Sequence, residues 1–353
     1  MPPDLLGGNA LRPDEGHHRT NSCHKDARVA YGLTYGRERT VRIGFMGTPR
    51  FALPSLKALM AAGHEICLVI TQPDRPAGRG RVPTPPPVKL AAQELELSLL
   101  QPEKVGDSAV ILALQAAQPE AIIVVAYGQL LPKSILTLPP HGCLNLHASL
   151  LPKYRGAAPI PWAIISGDIL TGVTIMQIET RMDAGPILLQ QTEPIRPHDT
   201  AASLSERLAV LGAELLCRAL DQVERGTVHP VPQDEHRATY APKLLPTDTR
   251  LDWTHDARAL DCRIRGLYPE PGAVTGFGGR RIKVLQAEAQ VNAVVDSPPG
   301  AVCAIDQNKG ILVAAKAGGL WLTQIQPENR RVMAAVEFAR GYRVRPGDAF
   351  GQA

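Results

Sequence analysis

The chain has 353 residues, which is enough for two domains of ordinary size that each have their own core. Its hydrophobic share of 44% excludes wholesale disorder, and no window reaches the roughly 18 consecutive apolar residues of a membrane span. The net charge of +4 permits a polyanionic partner without requiring one, so we expect a soluble protein whose partners depend on where its basic residues lie.

The cysteines of the chain are scattered, and none of them forms a C-x-x-C pair. Several lie in apolar stretches, where a reduced cysteine behaves as a small hydrophobic side chain. This usage is typical of a reducing compartment, so we expect a cytoplasmic protein rather than a disulfide-bonded secreted one. The six positions are Cys23, Cys67, Cys143, Cys217, Cys262 and Cys303.

Residues 1–40 differ in composition from the rest of the chain. They contain no apolar core of a signal peptide, and their acidic residues are unlike a transit peptide. The side chains of His17, His18, Cys23 and His24 could bind zinc in principle, but their spacing matches no standard zinc site. We therefore predict a disordered N-terminal extension, or an over-long start of the chain, and assign it neither a metal nor a function.

From Val41 onward, strand-like and helix-like patterns alternate. Segments dense in β-branched residues are typical of buried parallel strands, and apolar residues recur at helical spacing between them. This alternation predicts an α/β fold with a doubly wound, Rossmann-like parallel sheet, in which ligands bind at the carboxyl ends of strands. The predicted strands are 41–47, 65–71, 121–128 and 143–149, and the predicted helices are 51–63, 88–98 and 108–117.

Two further strands, 172–178 and 186–195, flank the segment ETRMDAG. A long amphipathic helix is predicted from about Thr200 to Glu224, just before a helix-ending glycine. We assign the whole region 41–226 to one α/β domain.

The remainder of the chain differs in composition and in the spacing of its apolar residues. Residues 227–244 are polar and proline-rich, which predicts a linker. Beyond them, several short strand-like pieces separated by Gly and Pro predict a small β-barrel over 245–353. Small barrels often bind nucleic acid, although 14 Lys/Arg against 10 Asp/Glu over 250–353 is only a weak basic excess.

Asn145 and His147 lie two positions apart in the strand-like segment CLNLHAS, so their side chains share one face, ~7 Å apart along the strand. An amide can donate a hydrogen bond to a developing oxyanion, and an imidazole can exchange a proton near neutral pH. Asp183, in the segment TRMDAG, is a candidate to orient the imidazole. These side chains suit acyl transfer to an amine. However, an N-x-H pair can equally satisfy local backbone groups, and Asp before Ala-Gly is commonly a turn residue, so spacing leaves both interpretations open.

The longer strings around these residues are more specific. NLHASLLPKYRGAAPI, followed further on by TGVTIMQIETRMDAGPIL, resembles the folate-dependent formyltransferases. The resemblance implies that Asn145, His147 and Asp183 are the catalytic residues, that 10-formyltetrahydrofolate is the formyl donor, and that no metal is needed. The folate pocket that it implies is lined by Ser149, Leu150, Leu151 and Pro152, and by Tyr127 and Gly128 of the matching segment VVAYGQLLP.

A second group of features indicates the acceptor of the formyl group. The loop TQPDRPAGRGRVPTPPPVK (71–89) is basic and rich in Gly and Pro, which suits contacts to phosphates and base edges, although a solvated connection has the same composition. The loop resembles that of formyltransferases acting on methionyl-tRNA, as do the joining segment TYAPKLLPTDTRLDW and the OB-like C-terminal barrel. The tRNA contacts that this resemblance implies are Arg75, Arg79, Arg81 and Lys243.

The resemblance thus implies formyl transfer to the α-amino group of methionine on initiator methionyl-tRNA, giving N-formylmethionyl-tRNA for translation initiation. We expect a monomeric cytoplasmic enzyme of bacterial type, with tRNA and folate as partners and no membrane association. Its predicted parts are a formyltransferase domain over 41–226, a linker over 227–244 and a tRNA-binding barrel over 245–353.

Three other functions are compatible with parts of the sequence. A formyltransferase acting on a nucleotide-linked sugar amine would share the catalytic residues, but the arginine-containing loop and the joining segment speak against it. A non-enzymatic RNA-binding protein would have no need for Asn145, His147 and Asp183. A dinucleotide-dependent dehydrogenase is disfavoured because GFMGTP lacks the G-x-G-x-x-G spacing.

Overall fold

The computed structural model describes residues 40–77, 82–291 and 296–351. Two sheets organise these ranges: a mixed sheet in the N-terminal half and a curled antiparallel sheet in the C-terminal half. No helix within the same ranges is both long and apolar enough to cross a membrane.

Nine strands and six α-helices make up the described N-terminal half. The strands are β1 (Arg42–Gly47), β2 (Glu65–Ile70), β3 (Arg75–Ala77), β4 (Val82–Thr84), β5 (Leu99–Leu100), β6 (Ala121–Val125), β7 (Cys143–His147), β8 (Leu170–Gln177) and β9 (Ile187–Pro194). The helices are α1 (Leu53–Ala61), α2 (Pro87–Glu94), α3 (Ser108–Ala117), α4 (Lys133–Leu136), α5 (Pro159–Ile165) and α6 (Ala201–Glu224). Seven strands form one sheet in the order β5-β2-β1-β6-β7-β8-β9, while β3 and β4 pair separately as a hairpin.

Both faces of this sheet are covered, as a doubly wound fold requires. On β1, Phe45 belongs to the core of one face and Met46 to the core of the other, and on β6 Ile123 and Ile122 divide in the same way. The five strands from β5 to β7 run parallel. This arrangement confirms the predicted Rossmann-like α/β fold.

The last two strands of the sheet are antiparallel, which differs from a wholly parallel sheet. β8 pairs antiparallel with both β7 and β9. The connection between β8 and β9 covers only 178–186, which is too short for the crossover of ~12 or more residues that parallel neighbours need. The chain therefore turns straight back as a hairpin, and this hairpin carries Asp183.

The long helix α6 confirms the predicted amphipathic helix. Thr200 is its N-cap and forms a capping box with Ser203, in which each side chain accepts the other residue's backbone N–H. A Cβ on Gly212 would lie 2.6 Å from Leu146 Cδ1. The glycine therefore allows α6 to pack closely against β7, the strand that contains the N-x-H pair.

The segment predicted as a linker, 227–244, does not run free between the two halves. Val231 forms a bridge with Ile187 in β9, and Tyr240 forms one with Arg155 in the loop after β7. Backbone groups make these contacts, and for this reason the polar, proline-rich composition did not reveal them. The segment packs along the N-terminal half before it enters the C-terminal half.

The C-terminal sheet is antiparallel throughout. Its strands are β10 (Ala273–Phe277), β11 (Arg280–Gln290), β12 (Val302–Asp306), β13 (Gly310–Ala314), β14 (Gly319–Pro327), β15 (Met333–Ala334) and β16 (Phe350–Gly351). They follow the order β12-β13-β14-β11-β10-β16, with β15 paired to β14. A single bridge between Ala301 and Ala349 joins the two ends of this path. The predicted OB-like barrel is therefore a curled antiparallel sheet, or half-barrel. Its two edges are in contact at this bridge.

Two helices of the C-terminal half, α7 (Ala257–Leu267) and α8 (Ala335–Tyr342), were not predicted. Helix α7 packs against α5 and so joins the two halves. A hydrogen bond at 2.9 Å from Arg265 Nη1 in α7 to the Asp199 carbonyl adds a second contact between them. The helical spacing of Leu260, Ile264 and Leu267, all buried, is the sequence signal from which α7 could have been predicted.

Candidate active site

A cavity of about 630 Å³ lies at the carboxyl ends of β6 and β7. Asn145 and His147, which alternate with buried leucines along β7, both line it, and so does Asp183 from the β8–β9 hairpin. The three residues that the resemblance marked as catalytic are thus brought together, although Asp183 lies 36 positions after His147 in the chain. The carboxyl edge of the parallel strands is the place where such sheets bind ligands.

The imidazole of His147 is almost fully buried and has two neighbours. Its Nε2 lies 2.9 Å from the Tyr154 carbonyl oxygen, and its Nδ1 lies 3.7 Å from Asp183 Oδ2. Because a carbonyl oxygen can only accept, Nε2 carries the hydrogen and donates it to Tyr154. The Tyr154 carbonyl therefore sets the tautomer, and Asp183 faces Nδ1 at ion-pair distance rather than hydrogen-bond distance.

Asp183 is held from two sides in an uncommon conformation. Its φ of 49° lies in the left-handed region, which non-glycine residues rarely adopt. Its Oδ2 accepts a hydrogen bond from the Gly156 backbone N–H at 2.8 Å, and its carbonyl oxygen accepts one from Gln233 Nε2 at 2.9 Å. The carboxylate is thereby fixed toward His147.

Asn145 is half-buried on the cavity wall. Its carboxamide makes no hydrogen bond to any residue in the described ranges, in contrast to the buried groups around it. A polar side chain that faces a cavity and has no protein partner is available to a bound molecule. The N–H groups of this amide can donate to an oxygen that gains negative charge.

Tyr127 and Gly128, two of the predicted folate contacts, follow β6 and line the same cavity. The Tyr127 hydroxyl is buried without a hydrogen-bond partner among the described residues, and burial raises its pKa to about 12. Gly128 has a φ of +93°, and the backbone carbonyl of Tyr127 accepts hydrogen bonds from Thr48 and Gln72. The buried Tyr127 hydroxyl is not exposed to the cavity, so other atoms of Tyr127 form this part of the wall.

The other predicted folate contacts, Ser149, Leu150, Leu151 and Pro152, are not among the residues that line this cavity. They form a turn behind the end of β7, in which Thr174 Oγ1 donates to the Ser149 carbonyl at 2.6 Å and accepts from the Leu151 N–H at 3.1 Å. The structure therefore places this segment where it shapes the strand end. Its contact with folate stays a prediction.

The predicted tRNA contacts are distributed over two regions. Arg75, in β3, pairs with Glu103 at 2.6 Å on the surface, while Arg79 and Arg81 lie outside the described residues. Gln72, at the start of the same loop, contacts the cavity wall because its Nε2 donates a hydrogen bond to the Tyr127 carbonyl. In the segment 227–244, exposed Lys243 follows Pro242, whose carbonyl accepts from Trp162 Nε1 at 2.8 Å.

Sequence reasoning did not identify three residues that connect to the site: Arg155, Gln233 and Glu235. Arg155 is only 2% exposed, and its guanidinium donates to Gln233 and to the carboxylate of Glu235. Hydrogen bonds from Arg155 and then Arg181 lower the pKa of Glu235 to about 2. Arg155 stood within a quoted motif, but no local signal indicated that the linker supplies its partners.

Two family descriptions match this chain. Formyl transferase matches residues 41–220, more than half of the chain, and Formyl transferase, C-terminal domain, matches residues 243–343. The chain belongs to the formyltransferase family and is an enzyme. Residues 221–242, which include Gln233 and Glu235, lie between the two matches.

Curated proteins similar to this enzyme include the methionyl-tRNA formyltransferase of Thermodesulfovibrio yellowstonii. It is 45% identical over 307 residues, which cover 87% of this chain and 98% of the relative. The methionyl-tRNA formyltransferase of Solibacter usitatus is 44% identical over 312 residues, which cover 88% of this chain and 99% of the relative. The similarity thus extends over nearly the whole length of both relatives.

Solved structures with the same fold are more distant in sequence. HypX from Aquifex aeolicus, in complex with tetrahydrofolic acid, aligns with a TM-score of 0.59 at 20% identity, covering 85% of this chain and 47% of HypX. The N-formyltransferase from Helicobacter canadensis, in complex with folinic acid and dTDP-3-aminofucose, aligns with a TM-score of 0.59 at 15% identity, covering 82% of this chain and 100% of that protein. At these identities the alignments support the fold alone.

Proposed function

We propose that this enzyme transfers a formyl group from 10-formyltetrahydrofolate to the α-amino group of methionine on initiator methionyl-tRNA. The observation that carries the proposal is the convergence of Asn145, His147 and Asp183 on one cavity wall. Full-length similarity to methionyl-tRNA formyltransferases supports the choice of acceptor.

Asn145 is assigned the stabilisation of the oxyanion. As an amine attacks the formyl carbon, negative charge develops on the formyl oxygen, and preorganised donors in a water-poor site stabilise that charge. The carboxamide of Asn145 faces the cavity and is not used by the described protein groups. It can donate to this oxygen without first breaking another hydrogen bond.

His147 and Asp183 are assigned the movement of the proton. With Nε2–H donated to Tyr154, Nδ1 is the ring nitrogen that gains and loses a proton. The Asp183 carboxylate, 3.7 Å away, stabilises the imidazolium, whose positive charge also stabilises the oxyanion beside Asn145. The proton lost by the amine passes through this pair to the nitrogen that leaves the formyl carbon.

The acceptor needs no strong base. A free α-amine has a pKa of about 7.7–8.0, and the α-amine of an aminoacyl ester is less basic. Enough of the methionyl amine is therefore neutral near pH 7 to attack directly. This chemistry is consistent with a cavity wall on which Asn145 offers a hydrogen-bond donor and His147 a proton carrier.

The cavity suits a folate on two grounds. Its volume of about 630 Å³ lies in the range of ~300–1,000 Å³ that is typical of sites for small organic ligands. Apolar side chains such as Phe51 and Leu131 line it together with the polar side chain of Asn145. A bound 10-formyltetrahydrofolate would supply the formyl carbon, which the wall residues Asn145 and His147 would face.

The acceptor tRNA is assigned to the surface that joins the cavity to the C-terminal half. Arg75 and the loop that continues to Arg79 and Arg81 would contact one side of the acceptor end, and Lys243 the other, because basic side chains bind phosphates. The half-barrel of residues 245–353 would hold more of the tRNA. A monomer in a reducing, bacterial-type cytoplasm completes the proposal, and none of the five cysteines in the described ranges forms a disulfide.

The test supplies purified protein with 10-formyltetrahydrofolate and, separately, initiator methionyl-tRNA, elongator methionyl-tRNA or free methionine. We expect formyl-methionine on initiator tRNA alone. Absence of transfer to all three acceptors, with tetrahydrofolate still bound, would overturn the acceptor assignment and favour a small-molecule amine such as a nucleotide-linked aminosugar.

A further inference from the structure

We propose that the segment joining the two halves of the enzyme is a clamp that positions the catalytic imidazole, and that Gln233 is its central positioning residue. The clamp is defined as Gln233, Glu235 and Thr239, together with their partner Arg155. This inference rests on the proposed reaction, because it assigns the clamp to the geometry of His147 and Asp183.

Gln233 uses both ends of its carboxamide. Nε2 donates to the carbonyl oxygens of Asp183 at 2.9 Å and Gly185 at 2.7 Å. Oε1 accepts from Arg155 Nε at 3.0 Å and from Arg155 Nη2 at 2.9 Å. A carboxamide is the side chain that combines two N–H donors and an acceptor in one planar group, so glutamine suits this position specifically.

Arg155 anchors the other end of this network inside the protein. Its buried guanidinium also donates to Glu235 through Nη1 at 3.1 Å and Nη2 at 2.9 Å. A buried guanidinium requires such partners, and both of them come from the connecting segment. Arg155 therefore fixes the segment beside the cavity, because breaking these hydrogen bonds would leave a buried charge without partners.

The Asp183 loop needs this support. The neighbouring hairpin positions Thr180, Arg181 and Met182 are exposed, and Asp183 itself is in the left-handed conformation. Such conformations persist only where the surrounding structure holds them. Gln233 holds the backbone of this turn through the carbonyls of Asp183 and Gly185, while the Asp183 side chain faces His147.

The clamp also fixes the second neighbour of His147. The backbone N–H of Tyr154 donates to Thr239 Oγ1 at 2.8 Å, and the N–H of Arg155 donates to the Thr239 carbonyl at 2.8 Å. These bonds hold the Tyr154 carbonyl that accepts from His147 Nε2. One connecting segment thus positions the contacts on both ring nitrogens of the catalytic histidine.

The decisive variants are Gln233→Glu, which keeps an acceptor for Arg155 but places a carboxylate against two carbonyl oxygens, and Gln233→Met, which removes the hydrogen bonds without adding charge. The matched control is Asp234→Asn, because the exposed side chain of Asp234 accepts, among the described residues, only from the His236 N–H within its own turn, and Asn keeps that acceptor. Steady-state formylation of initiator methionyl-tRNA, direct titration with tetrahydrofolate and thermal unfolding are measured for each protein.

We expect kcat to fall ~10–100-fold in both Gln233 variants, because small misplacement of a catalytic group has effects of this size. KM values and the tetrahydrofolate Kd should stay within about threefold, the pattern of an interaction lost in the transition state. Asp234→Asn should match wild type. Wild-type kcat in a folded Gln233 variant, or unfolding of both Gln233 variants, would overturn the proposal, whereas an inactive wild-type enzyme would instead refute the proposed function.

A double-mutant cycle separates positioning from general structural damage. If Gln233 acts through Asp183, adding Gln233→Glu to Asp183→Asn should lower the residual kcat by less than about twofold. If the two losses multiply, Gln233 acts independently of Asp183, and the positioning role is wrong.

Discussion

The imidazole of His147 and the carboxylate of Asp183 face each other at 3.7 Å, with side chains 6% and 15% exposed. The same residue types meet at 3.5 Å in His255 and Asp252, but there both side chains are 58% exposed. Water and salt screen charges at an exposed pair more than at a buried one. Burial, rather than distance, distinguishes the proposed catalytic pair from the surface pair.

Replacement of His147 by Ala should abolish most of the turnover. Loss of a positioned proton carrier lowers kcat by about 10²–10⁴-fold, while the tetrahydrofolate Kd should change little. His255→Ala is the matched control and should retain wild-type kcat, since its imidazole pairs with Asp252 at the surface. Rapid-quench or steady-state formylation assays on folded protein decide the matter, and full turnover in His147→Ala would refute the assigned role.

Tyr127→Phe should change stability slightly and leave ligand binding unchanged. Removing a buried hydroxyl that lacks a partner among the described residues should leave the free energy of unfolding unchanged or raise it by up to ~1 kcal/mol. The tetrahydrofolate Kd should stay within about twofold, because this hydroxyl is buried and does not face the cavity.

The control for that change is Tyr154→Phe, whose hydroxyl donates to Asp168 Oδ2 at 2.9 Å. Loss of this bond should lower the free energy of unfolding by about 1 kcal/mol. Chemical denaturation and calorimetric titration measure both quantities. A Kd that rises about tenfold in Tyr127→Phe would contradict this prediction and show that the hydroxyl reaches the folate.

Gly156→Ala should destabilise the protein by about 2–4 kcal/mol. Gly156 has a φ of +119°, and a Cβ there would lie 2.7 Å from the Ala241 carbonyl oxygen of the connecting segment. Gly226→Ala isolates the cost of the backbone conformation, because Gly226 has a φ of +65° and no atom within 4 Å of its Cβ position, and it should cost only about 1 kcal/mol. Equal losses in urea denaturation would mean that the connecting segment moves away freely.

Asp199→Asn should lower stability at neutral pH but not in acid. Burial alone would raise the pKa of Asp199, but hydrogen bonds from Arg207 and the Arg196 backbone lower it from 3.8 to about 2. A lowered folded-state pKa stabilises the fold above the unfolded pKa, and this contribution is lost as the pH falls from about 4 to about 2. The deficit of the variant should therefore be about 2 kcal/mol at pH 7 and shrink over that acid range.

The control for the pH experiment is Asp221→Asn, which removes a pair with the exposed side chain of Arg225. Exposed pairs contribute little, so the change should stay below about 1 kcal/mol at all pH values. Urea denaturation between about pH 7 and pH 3 checks both variants. A deficit of Asp199→Asn that grows in acid would contradict the sign of the prediction.

The periodicity of the sequence determined six of the seven strands of the first sheet, all except β5, together with the long helix α6 and the shared face of Asn145 and His147. These features follow from local chemistry, because a side chain's face depends only on its position within a strand or helix. Asp183 could be joined to this pair only by resemblance, since no local pattern links residues that lie in different loops.

The tertiary structure alone decided which groups surround the imidazole. Three features decide this: the Tyr154 carbonyl, the turn that keeps Ser149 to Pro152 outside the cavity wall, and the packing of the connecting segment. All of them depend on hydrogen bonds between distant parts of the chain in which at least one partner is a backbone group. Such bonds use groups that every residue has, so composition carries no record of them. For this reason a segment that is polar and proline-rich in sequence, and predicted as a simple linker, holds Gln233 against Asp183.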